Sequence, residues 1–288
     1  MATLRAAWLI FIFLFVTLLL APVQVIAVRL DLGLARRLPK AYHRGVCRLI
    51  GLKVSLVGAP ASGGVLMAAN HLGWMDIPIL STVAPLSFVA KQEVGAWAFF
   101  GTLARLQRTI FIRRERAKAA EDRDTIRRRL AAGEALVIFP EGTSSDGNRV
   151  FPFKSSLFSA AELDLGEDAE HHLRHVPVQP VSIAYVGLHG MPMGRETRPF
   201  FAWYGDMELV PHFWEAFWMG PIDVVVELHT PLTIAEAGDR KRLAAIVEAT
   251  VRAGVIRALH GPKAAAEIRN EELIGGLREE EPEAEETA

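Results

Sequence analysis

The sequence of 288 residues contains one cysteine, no GxSxG motif and almost no net charge. Because Cys47 is the only cysteine, no disulfide can form within the chain, and a reducing, cytoplasmic setting fits the main domain. We assign Cys47 no function, since a buried small side chain explains a cysteine in this apolar and basic stretch. Without a GxSxG elbow or another evident nucleophile, a covalent enzyme intermediate is not expected.

Length and composition indicate one α/β domain with short appendages. Hydrophobic residues make up 51% of the chain and charged residues 23%, which suits a globular protein that also meets a membrane. The net charge of −1 hides a basic first half and an acidic end, and we expect the last ~15 residues to be disordered. We divide the chain into a membrane anchor helix (1–28), a basic amphipathic interfacial segment (29–52), the main domain (53–262) and an acidic tail (263–288).

A long uncharged segment lies near the N-terminus. Residues 6–28 carry no charge over 23 positions, which at about 1.5 Å per helical residue can cross the apolar part of a bilayer. A cleaved signal peptide is the alternative, with Arg5 as its charged end and residues 25–27 as its cleavage site. Its apolar run would exceed the usual length of roughly 7–15 residues. We therefore predict a retained membrane helix.

Basic residues follow this segment and predict its orientation. Asp31 is the only acidic residue among seven basic ones, which are Arg29, Arg36, Arg37, Lys40, Arg44, Arg48 and Lys53. Such an excess normally stays on the cytoplasmic side, so we expect an inner-membrane protein whose main domain faces the cytoplasm. Within residues 39–52 apolar side chains recur at helical spacing, as in a helix lying in the headgroup layer. An amphipathic helix packed on the domain has the same periodicity.

Apolar, β-branched runs alternate with helical patterns in the rest of the chain. Strands are predicted at residues 54–57, 65–69, 86–90, 109–112, 135–139, 178–184 and 223–228. Helices are predicted at residues 77–83, 94–106, 116–132, 155–163 and 239–259. This alternation predicts an α/β fold with a mainly parallel sheet flanked by helices, in which functional sites collect at the C-terminal ends of strands.

A histidine and an aspartate follow the second predicted strand. His71 falls at the strand end and Asp76 at a helix start, just before Pro78. A turn at Gly73 would let the carboxylate reach one imidazole nitrogen, so that the other could take a proton from a substrate hydroxyl. A structural histidine with Asp76 as a helix N-cap explains these residues equally well.

A second polar cluster follows the strand at 135–139. A carboxylate, several hydroxyls and backbone amides gather there, and together they can hold a polar headgroup. Its members include Glu141, Gly142, Thr143 and Ser144. Taken alone, this stretch is explained more simply by a turn rich in Ser, Asp and Gly.

The two clusters together resemble the 1-acylglycerol-3-phosphate acyltransferase family of lysolipid acyltransferases. The chain reads NHxxxxD and, about 65 residues later, FPEGT. Residues 109–114 (TIFIRR) are similar to the family's GxxFIDR, and residues 176–180 (VPVQP) to its VPVxP, whose Pro180 the resemblance places in the pocket wall. The resemblance covers residues 52–185 and implies a glycerolipid acyltransferase-like fold.

Roles for the matching residues follow from the resemblance. It implies that His71 is the general base, that Asp76 orients it, and that Arg114 contacts the acceptor headgroup. Glu141 and Gly142 would shape the acceptor pocket. The expected site comprises catalytic His71 and Asp76, and substrate-binding Arg114, Glu141, Gly142, Thr143, Ser144 and Lys91.

Departures from the family pattern bear on the acceptor. Where the family reads FPEGTR this chain has Ser144, and Arg108 and Arg113 stand at the Gly and Asp places of GxxFIDR. Losing an arginine fork at the acceptor loop weakens the case for a phosphate headgroup, although Arg108 or Arg113 could compensate. The stretch FPEGTSSDGNRV and residues 202–207 resemble the branch that acylates lyso-ornithine lipid, whose headgroup carries a carboxylate and an amine.

The implied reaction is direct transfer of a fatty acyl group from acyl carrier protein or acyl-CoA to the free hydroxyl of a lysolipid. The acceptor would be lyso-ornithine lipid or 1-acylglycerol-3-phosphate, in membrane lipid biosynthesis. We expect the membrane as a partner and no cofactor, metal or nucleic acid. Two alternatives stay open, a non-catalytic membrane-anchored lipid-binding protein and a lipid hydrolase that uses His71 to activate water.

Three further features each have more than one explanation. The basic stretch 105–129 could attract an acidic carrier protein, or it is a solvated helix of alternating charges. His171, His172 and His175 have metal-ligand spacing, but no cysteine or carboxylate completes a set, so we predict no metal site. An aromatic run could contact the membrane, line an acyl tunnel or pack in the core; it comprises Trp203, Tyr204, Phe213, Trp214, Phe217 and Trp218.

Overall fold

The computed structural model describes residues 2–113, 119–167 and 173–260. Arg114, His171, His172 and the acidic tail lie outside the described residues, so what the sequence predicts for them stays a prediction. Two helices begin the chain, α1 (Ala2–Arg29) and α2 (Leu34–Ile50).

Strands and helices then alternate. The strands are β1 (Leu52–Val57), β2 (Val65–Ala69), β3 (Leu86–Lys91), β4 (Ile110–Ile112), β5 (Ala135–Ile138), β6 (Asp164–Glu167), β7 (Leu173–His175), β8 (Val178–Leu188), β9 (Met191–Pro192) and β10 (Ile222–Leu228). The helices are α3 (Asp76–Ser81), α4 (Gln92–Gly95), α5 (Ala98–Leu106), α6 (Ala119–Ala131), α7 (Leu209–Met219), α8 (Ile234–Ala237) and α9 (Arg240–His260). Two 3-10 helices cover Ser155–Glu162 and Arg198–Phe200.

The main sheet follows the order β1-β10-β8-β2-β5-β3-β4, and β9 pairs with the C-terminal end of β8. Neighbouring strands from β8 to β4 run parallel, whereas β10 is antiparallel to β8 and parallel to β1. Every position of β2 is buried, as expected for a central strand covered on both faces. The predicted fold class, a mainly parallel sheet flanked by helices, is confirmed.

Side chains of the central strands alternate between two hydrophobic layers. Val65, Met67 and Ala69 of β2 belong to the layer that contains residues of α1, α2, α3 and α7. Leu66 and Ala68 belong to the layer that contains residues of α6, α9 and the first 3-10 helix. This period of two follows from the pleat of a strand and places the ends of β2 and β5 between the two helical layers.

Two predicted helices differ from the structure, and helix α7 was missing from the prediction. The helix predicted at 94–106 is split into α4 and α5, because Trp97 is extended and a Cβ on Gly101 would lie 2.5 Å from the Gly95 carbonyl oxygen. The helix predicted at 155–163 is a 3-10 helix. Helix α7 was not predicted, because its aromatic residues occupy more than one side and hide the helical period.

Helix α1 is long and apolar enough to cross a membrane, with 28 residues and a mean hydropathy of 2.8 in its most apolar window. One narrow side packs on the domain. There the Thr17 hydroxyl lies 2.7 Å from the Tyr42 hydroxyl, and the Gln24 amide donates to the carbonyl oxygens of Ala35 and Leu106 at 2.9 and 2.8 Å. Most of its other large apolar side chains are exposed.

The apolar side of α2 packs on the domain. Val46, Cys47 and Ile50 are buried there, and burial raises the pKa of the Cys47 thiol to about 12. Arg37, Arg44 and Arg48 are exposed on the opposite side. Helix α2 therefore packs its apolar side on the domain and exposes its basic side.

Candidate active site

The loop between β2 and α3 brings His71 and Asp76 together. Nδ1 of His71 lies 2.7 Å from Oδ2 of Asp76, and the aspartate is fully buried. The same oxygen accepts the backbone N–H groups of Leu72 and Gly73, at 2.7 and 3.0 Å. A carboxylate held in this way favours the tautomer with a proton on Nδ1 and leaves Nε2 as the proton acceptor.

The loop takes this shape because other segments pack against it. Gly73 has a φ of 151°, and a Cβ at this position would lie 2.8 Å from the Trp203 backbone nitrogen. The Trp203 N–H donates to the Leu72 carbonyl at 2.8 Å, and the Ser145 N–H donates to the His71 carbonyl at 2.8 Å. Two distant loops therefore clamp the segment that carries both residues.

Phe139, at the end of β5, holds the plane of the imidazole. The His71 ring stacks on the Phe139 ring with centroids 4.0 Å apart and planes 18° apart. Phe139 stacks in turn on Phe88 of β3, at 6.2 Å. The His71 side chain keeps 22% of its surface exposed, so the ring is oriented but still accessible.

Glu141 lies behind the catalytic loop. One carboxylate oxygen accepts a hydrogen bond from the backbone N–H of His71, and the other accepts one from the backbone N–H of Phe151, both at 2.8 Å. Burial raises the pKa of Glu141 to about 7, although these two backbone donors act in the opposite direction. The side chain is buried and hydrogen-bonds to the backbone of two loops. It therefore shapes the pocket through the position of these two backbone segments.

The polar loop after β5 meets two lysines. Gly142 has a φ of 70°, and its carbonyl accepts a hydrogen bond from Lys91 Nζ at 3.1 Å. A Cβ on Gly142 would lie 2.8 Å from Lys154 Nζ, so a side chain there would displace this lysine. Thr143 and Ser144 follow and line the same cavity as both lysines.

A cavity of about 840 Å³ contains this polar loop and extends under α1 and α2. His71, Lys91 and Lys154 contribute polar groups to its lining. Most of the remaining lining is apolar, including Phe13 and Leu20 of α1. A volume of this order accommodates a lipid-sized ligand, and the apolar wall suits an acyl chain.

The comparisons with known proteins agree with this geometry. Residues 53–184 match the family model described as Acyltransferase. A lyso-ornithine lipid O-acyltransferase from Brucella abortus is 45% identical over 247 residues, which are 85% of this chain and 91% of that protein. The chain belongs to the acyltransferase family. Further relatives of this acyltransferase differ in the acceptor that their names give.

A lyso-ornithine lipid O-acyltransferase from Rhizobium meliloti is 42% identical over 239 residues, covering 82% of this chain and 81% of its own. A 1-acyl-sn-glycerol-3-phosphate acyltransferase from Neisseria gonorrhoeae is 32% identical over 227 residues, with coverages of 75% and 83%. The crystal structure of the 1-acyl-sn-glycerophosphate acyltransferase from Thermotoga maritima has a TM-score of 0.57. It is 24% identical, covers 88% of this chain and 96% of its own, and shares the fold.

Arg108, Arg113 and Pro180 do not line the described cavity of the acyltransferase. Arg108 pairs with Glu134 at 2.6 Å, and Arg113 pairs with Glu121 at 2.9 Å, so both guanidinium groups are paired with carboxylates outside the cavity lining. Pro180 lies within β8 opposite Ala68 and is not among the described residues that line the cavity. Arg114 lies outside the described residues.

Three residues of the site had no role assigned from the sequence, although Phe139 is the first residue of the FPEGT motif. Tyr185, fully buried in β8, donates to Asp76 Oδ1 at 3.2 Å, and burial keeps its pKa well above the ordinary value, so it remains a donor. Lys154 reaches the polar loop from the next segment, and Phe139 supports the imidazole. All three residues lie far from His71 and Asp76 in the sequence, so no local sequence pattern predicts their contacts with the site.

Replacing Glu141 with alanine is expected to destabilise the acyltransferase by about 2 kcal/mol or more and to lower kcat. The change leaves the N–H groups of His71 and Phe151 without their acceptor, and an unsatisfied buried donor costs roughly 1–3 kcal/mol. Thermal unfolding in detergent measures this loss. Glu162→Ala, which removes an exposed carboxylate, is the control and should change stability little.

The destabilisation by Glu141→Ala should depend on pH. The folded pKa of Glu141, about 7, lies above its ordinary value of 4.5. Because the folded protein binds the Glu141 proton more tightly than the unfolded chain does, protonated Glu141 stabilises the fold. This stabilisation is fully present below pH 4.5 and is lost as the pH rises through 7. The difference between wild type and variant should therefore be larger at pH 5 than at pH 8, and the reverse order would contradict a raised pKa.

Proposed function

We propose that the enzyme transfers a fatty acyl group from a thioester donor to the free hydroxyl of a lysolipid, and that lyso-ornithine lipid is the acceptor. One observation carries the proposal. A single cavity joins the His71 imidazole, oriented by Asp76 at 2.7 Å, to an apolar lining supplied partly by the N-terminal helix. A base beside a lipid-sized apolar cavity is what acylation of a lipid hydroxyl needs.

The transfer proceeds in one displacement. Nε2 of His71 takes the hydroxyl proton while the oxygen bonds to the thioester carbonyl carbon, and Asp76 stabilises the resulting imidazolium. The carbon–sulfur bond then breaks, and the leaving thiolate takes the proton from His71. The products are an ester and a free thiol, and the imidazole returns to its neutral form. Thr143 and Ser144 line the same cavity and supply hydroxyl donors for the oxyanion.

The charges that line the cavity support an acceptor with both a carboxylate and an ammonium group. Lys91 and Lys154 supply two ammonium groups, and Glu93 supplies a carboxylate. No arginine among the described residues lines this cavity, so the bidentate fork that suits a phosphate is absent from that part of the chain. An ornithine headgroup can place its carboxylate near the lysines and its amine near Glu93.

The proposed donor is the acyl thioester of acyl carrier protein or of CoA, which present the same reacting bond. The basic stretch 105–129 does not decide between them. Asp124 pairs with Arg127 and Arg128, at 3.2 and 3.0 Å, and Arg129 pairs with Glu134 at 2.5 Å. These ion pairs offset part of the charge that would attract an acidic partner, but ten basic and four acidic residues leave the stretch with a positive excess.

We also propose that the enzyme resides in the cell inner membrane with its catalytic domain on the cytoplasmic side. The exposed apolar sides of α1 support membrane insertion, and the outward basic side of α2 supports contact with an anionic leaflet. The single cysteine is consistent with a reducing compartment.

An acceptor assay with the purified full-length protein tests the proposed function. With a labelled acyl thioester, lyso-ornithine lipid should be converted at a higher kcat/KM than 1-acylglycerol-3-phosphate. Preference for the phosphate acceptor would contradict the proposed headgroup. Release of free fatty acid without a lipid product would indicate a hydrolase, and absence of any turnover would indicate a lipid-binding protein.

Replacing Lys154 with alanine should raise the KM for lyso-ornithine lipid by roughly tenfold with a smaller change in kcat. The reason is that a charge-assisted contact to the headgroup contributes to ground-state and transition-state binding alike. Steady-state kinetics with varied acceptor measure both constants. Lys241→Ala on α9, an exposed lysine outside the cavity lining, is the matched control. An unchanged KM for Lys154→Ala would exclude this headgroup contact.

A further inference from the structure

Helix α7 has an inner and an outer aromatic side. Phe213 and Phe217 face inward and contact Phe13 of α1, with ring centroids 5.4 and 6.0 Å apart. Trp214 and Trp218, one position further along, lie about 100° around the helix and are 37% and 48% exposed. The four aromatic residues of α7 are thus divided between an inner, packed side and an exposed outer side. Phe213 of the inner side, like Trp203, also lines the cavity.

The outer aromatic face of α7 is unusually apolar for exposed protein surface. We define it as Val210, Trp214 and Trp218, together with Phe200 from the neighbouring 3-10 helix. Val210 and Phe200 are 73% and 62% exposed, and Phe200 lines a shallow groove with the two tryptophans. Contiguous exposed apolar side chains of this kind mark a surface that contacts a protein or a membrane.

Its position next to α1 identifies the partner. Helix α1 packs directly on α7 through Phe13 and exposes apolar side chains such as Phe11, Phe15 and Leu18 on its free sides. The outer aromatic face therefore continues an apolar surface that a bilayer would cover. Tryptophan is enriched at the depth of the lipid headgroups. Glu215 lines the same groove but is the only charged residue of α7, and one charge does not form a surface for an electrostatic protein partner.

We propose that the outer aromatic face of α7 is a second membrane-contact surface, which inserts at the headgroup level beside α1. This goes beyond the acyl-transfer function. The same helix holds the catalytic loop, because Trp74 Nε1 donates to His212 Nδ1 at 2.9 Å and the Trp74 ring lies 5.0 Å from that of Phe213. Contact of α7 with the bilayer consequently places the loop between His71 and Asp76 near the membrane surface.

Site-directed spin labelling of the full-length protein tests this proposal. Cys47 is buried and its pKa is raised to about 12, so a thiol-reactive nitroxide should label an introduced cysteine selectively. Trp214→Cys carries the label on the outer aromatic face. Ile246→Cys on α9, also 37% exposed but on the opposite side of the sheet, is the matched control.

Both labelled proteins are reconstituted into phosphatidylcholine vesicles that contain phosphatidylglycerol. At Trp214→Cys, collisions with oxygen should increase and collisions with a water-soluble nickel chelate should fall severalfold relative to Ile246→Cys. Equal accessibility of the two labels to the nickel chelate would overturn the proposal. So would dipolar broadening between labels at Trp214→Cys in lipid-free detergent, since it would show that a second copy covers this face. If Trp214→Cys does not fold, Val210→Cys serves as the labelled position.

Discussion

Replacing His71 with alanine should reduce kcat by about 10²–10⁴-fold, the contribution typical of a positioned general acid or base. The attacking hydroxyl must lose a proton, and Nε2 of His71 is the acceptor that Asp76 orients. Another histidine that lines the cavity cannot take over this role. Burial lowers the pKa of His43 to about 4, and its Nε2 is engaged with Gln107 at 3.1 Å.

The His71→Ala variant should still fold and bind lipid. The side chain is partly exposed, and the hydrogen bond to Glu141 comes from the backbone N–H, which alanine retains. Acyl transfer from labelled thioester to lyso-ornithine lipid measures the loss, and thermal unfolding establishes folding. His260→Ala, at the exposed end of α9, is the histidine control. Near-normal transfer by folded His71→Ala enzyme would show that another group removes the proton.

Replacing Asp76 with asparagine should lower kcat by roughly 10²-fold or more, because the imidazolium formed during transfer loses its negative partner. Asparagine has nearly the same shape. Its amide oxygen can accept hydrogen bonds from the ring Nδ1–H of His71 and from the backbone N–H groups of Leu72 and Gly73. Its NH2 group can donate to the Tyr185 hydroxyl. The loss therefore reports the charge rather than a collapse of the loop.

Tyr185→Phe is the matched control for Asp76→Asn. It removes a hydrogen bond of 3.2 Å to Oδ1 but leaves the carboxylate charge and its contact with His71. We expect a fall in kcat of roughly tenfold, smaller than that of Asp76→Asn. A hydrogen bond to a charged group contributes about 1.5–3 kcal/mol, and only the part that changes as the imidazolium forms affects kcat. Equal losses in the two variants would mean that the burial and shape of this pocket, rather than the charge of Asp76, determine the rate.

Much of the main sheet could be predicted from local pattern. The apolar runs that become β2, β3 and β5 are short, β-branched and bounded by turn residues, and a central parallel strand needs that composition on both faces. Helix α7 could not be found in this way. Its tryptophans and phenylalanines lie on adjoining sides of one helix, so a hydrophobic period of 3.6 residues is not visible.

The two motif loops of the candidate site were predictable, but the partners that reach them from distant segments were not. His71 and Asp76 are five residues apart, so a single turn at Gly73 suffices to join them. Arg108 shows the limit of this reasoning. From the sequence, Arg108 could compensate for the headgroup arginine absent at position 144, but its guanidinium pairs with Glu134, which is 26 residues further along the chain. An ion-pair partner at that separation depends on how α6 returns to the sheet.

The sequence by itself determined the α/β class and the membrane-compatible N-terminal helix, because these depend on composition and period. The histidine–aspartate pair was indicated by the family resemblance of its motif, since spacing alone left a structural explanation open. Only the tertiary structure decided what supports that pair. Tyr185 meets Asp76 through the parallel pairing of β8 with β2, and Lys154 reaches Gly142 from a separate segment. Strand register and loop packing bring such residues together. The free energy that favours this register and packing comes from burying the whole hydrophobic core.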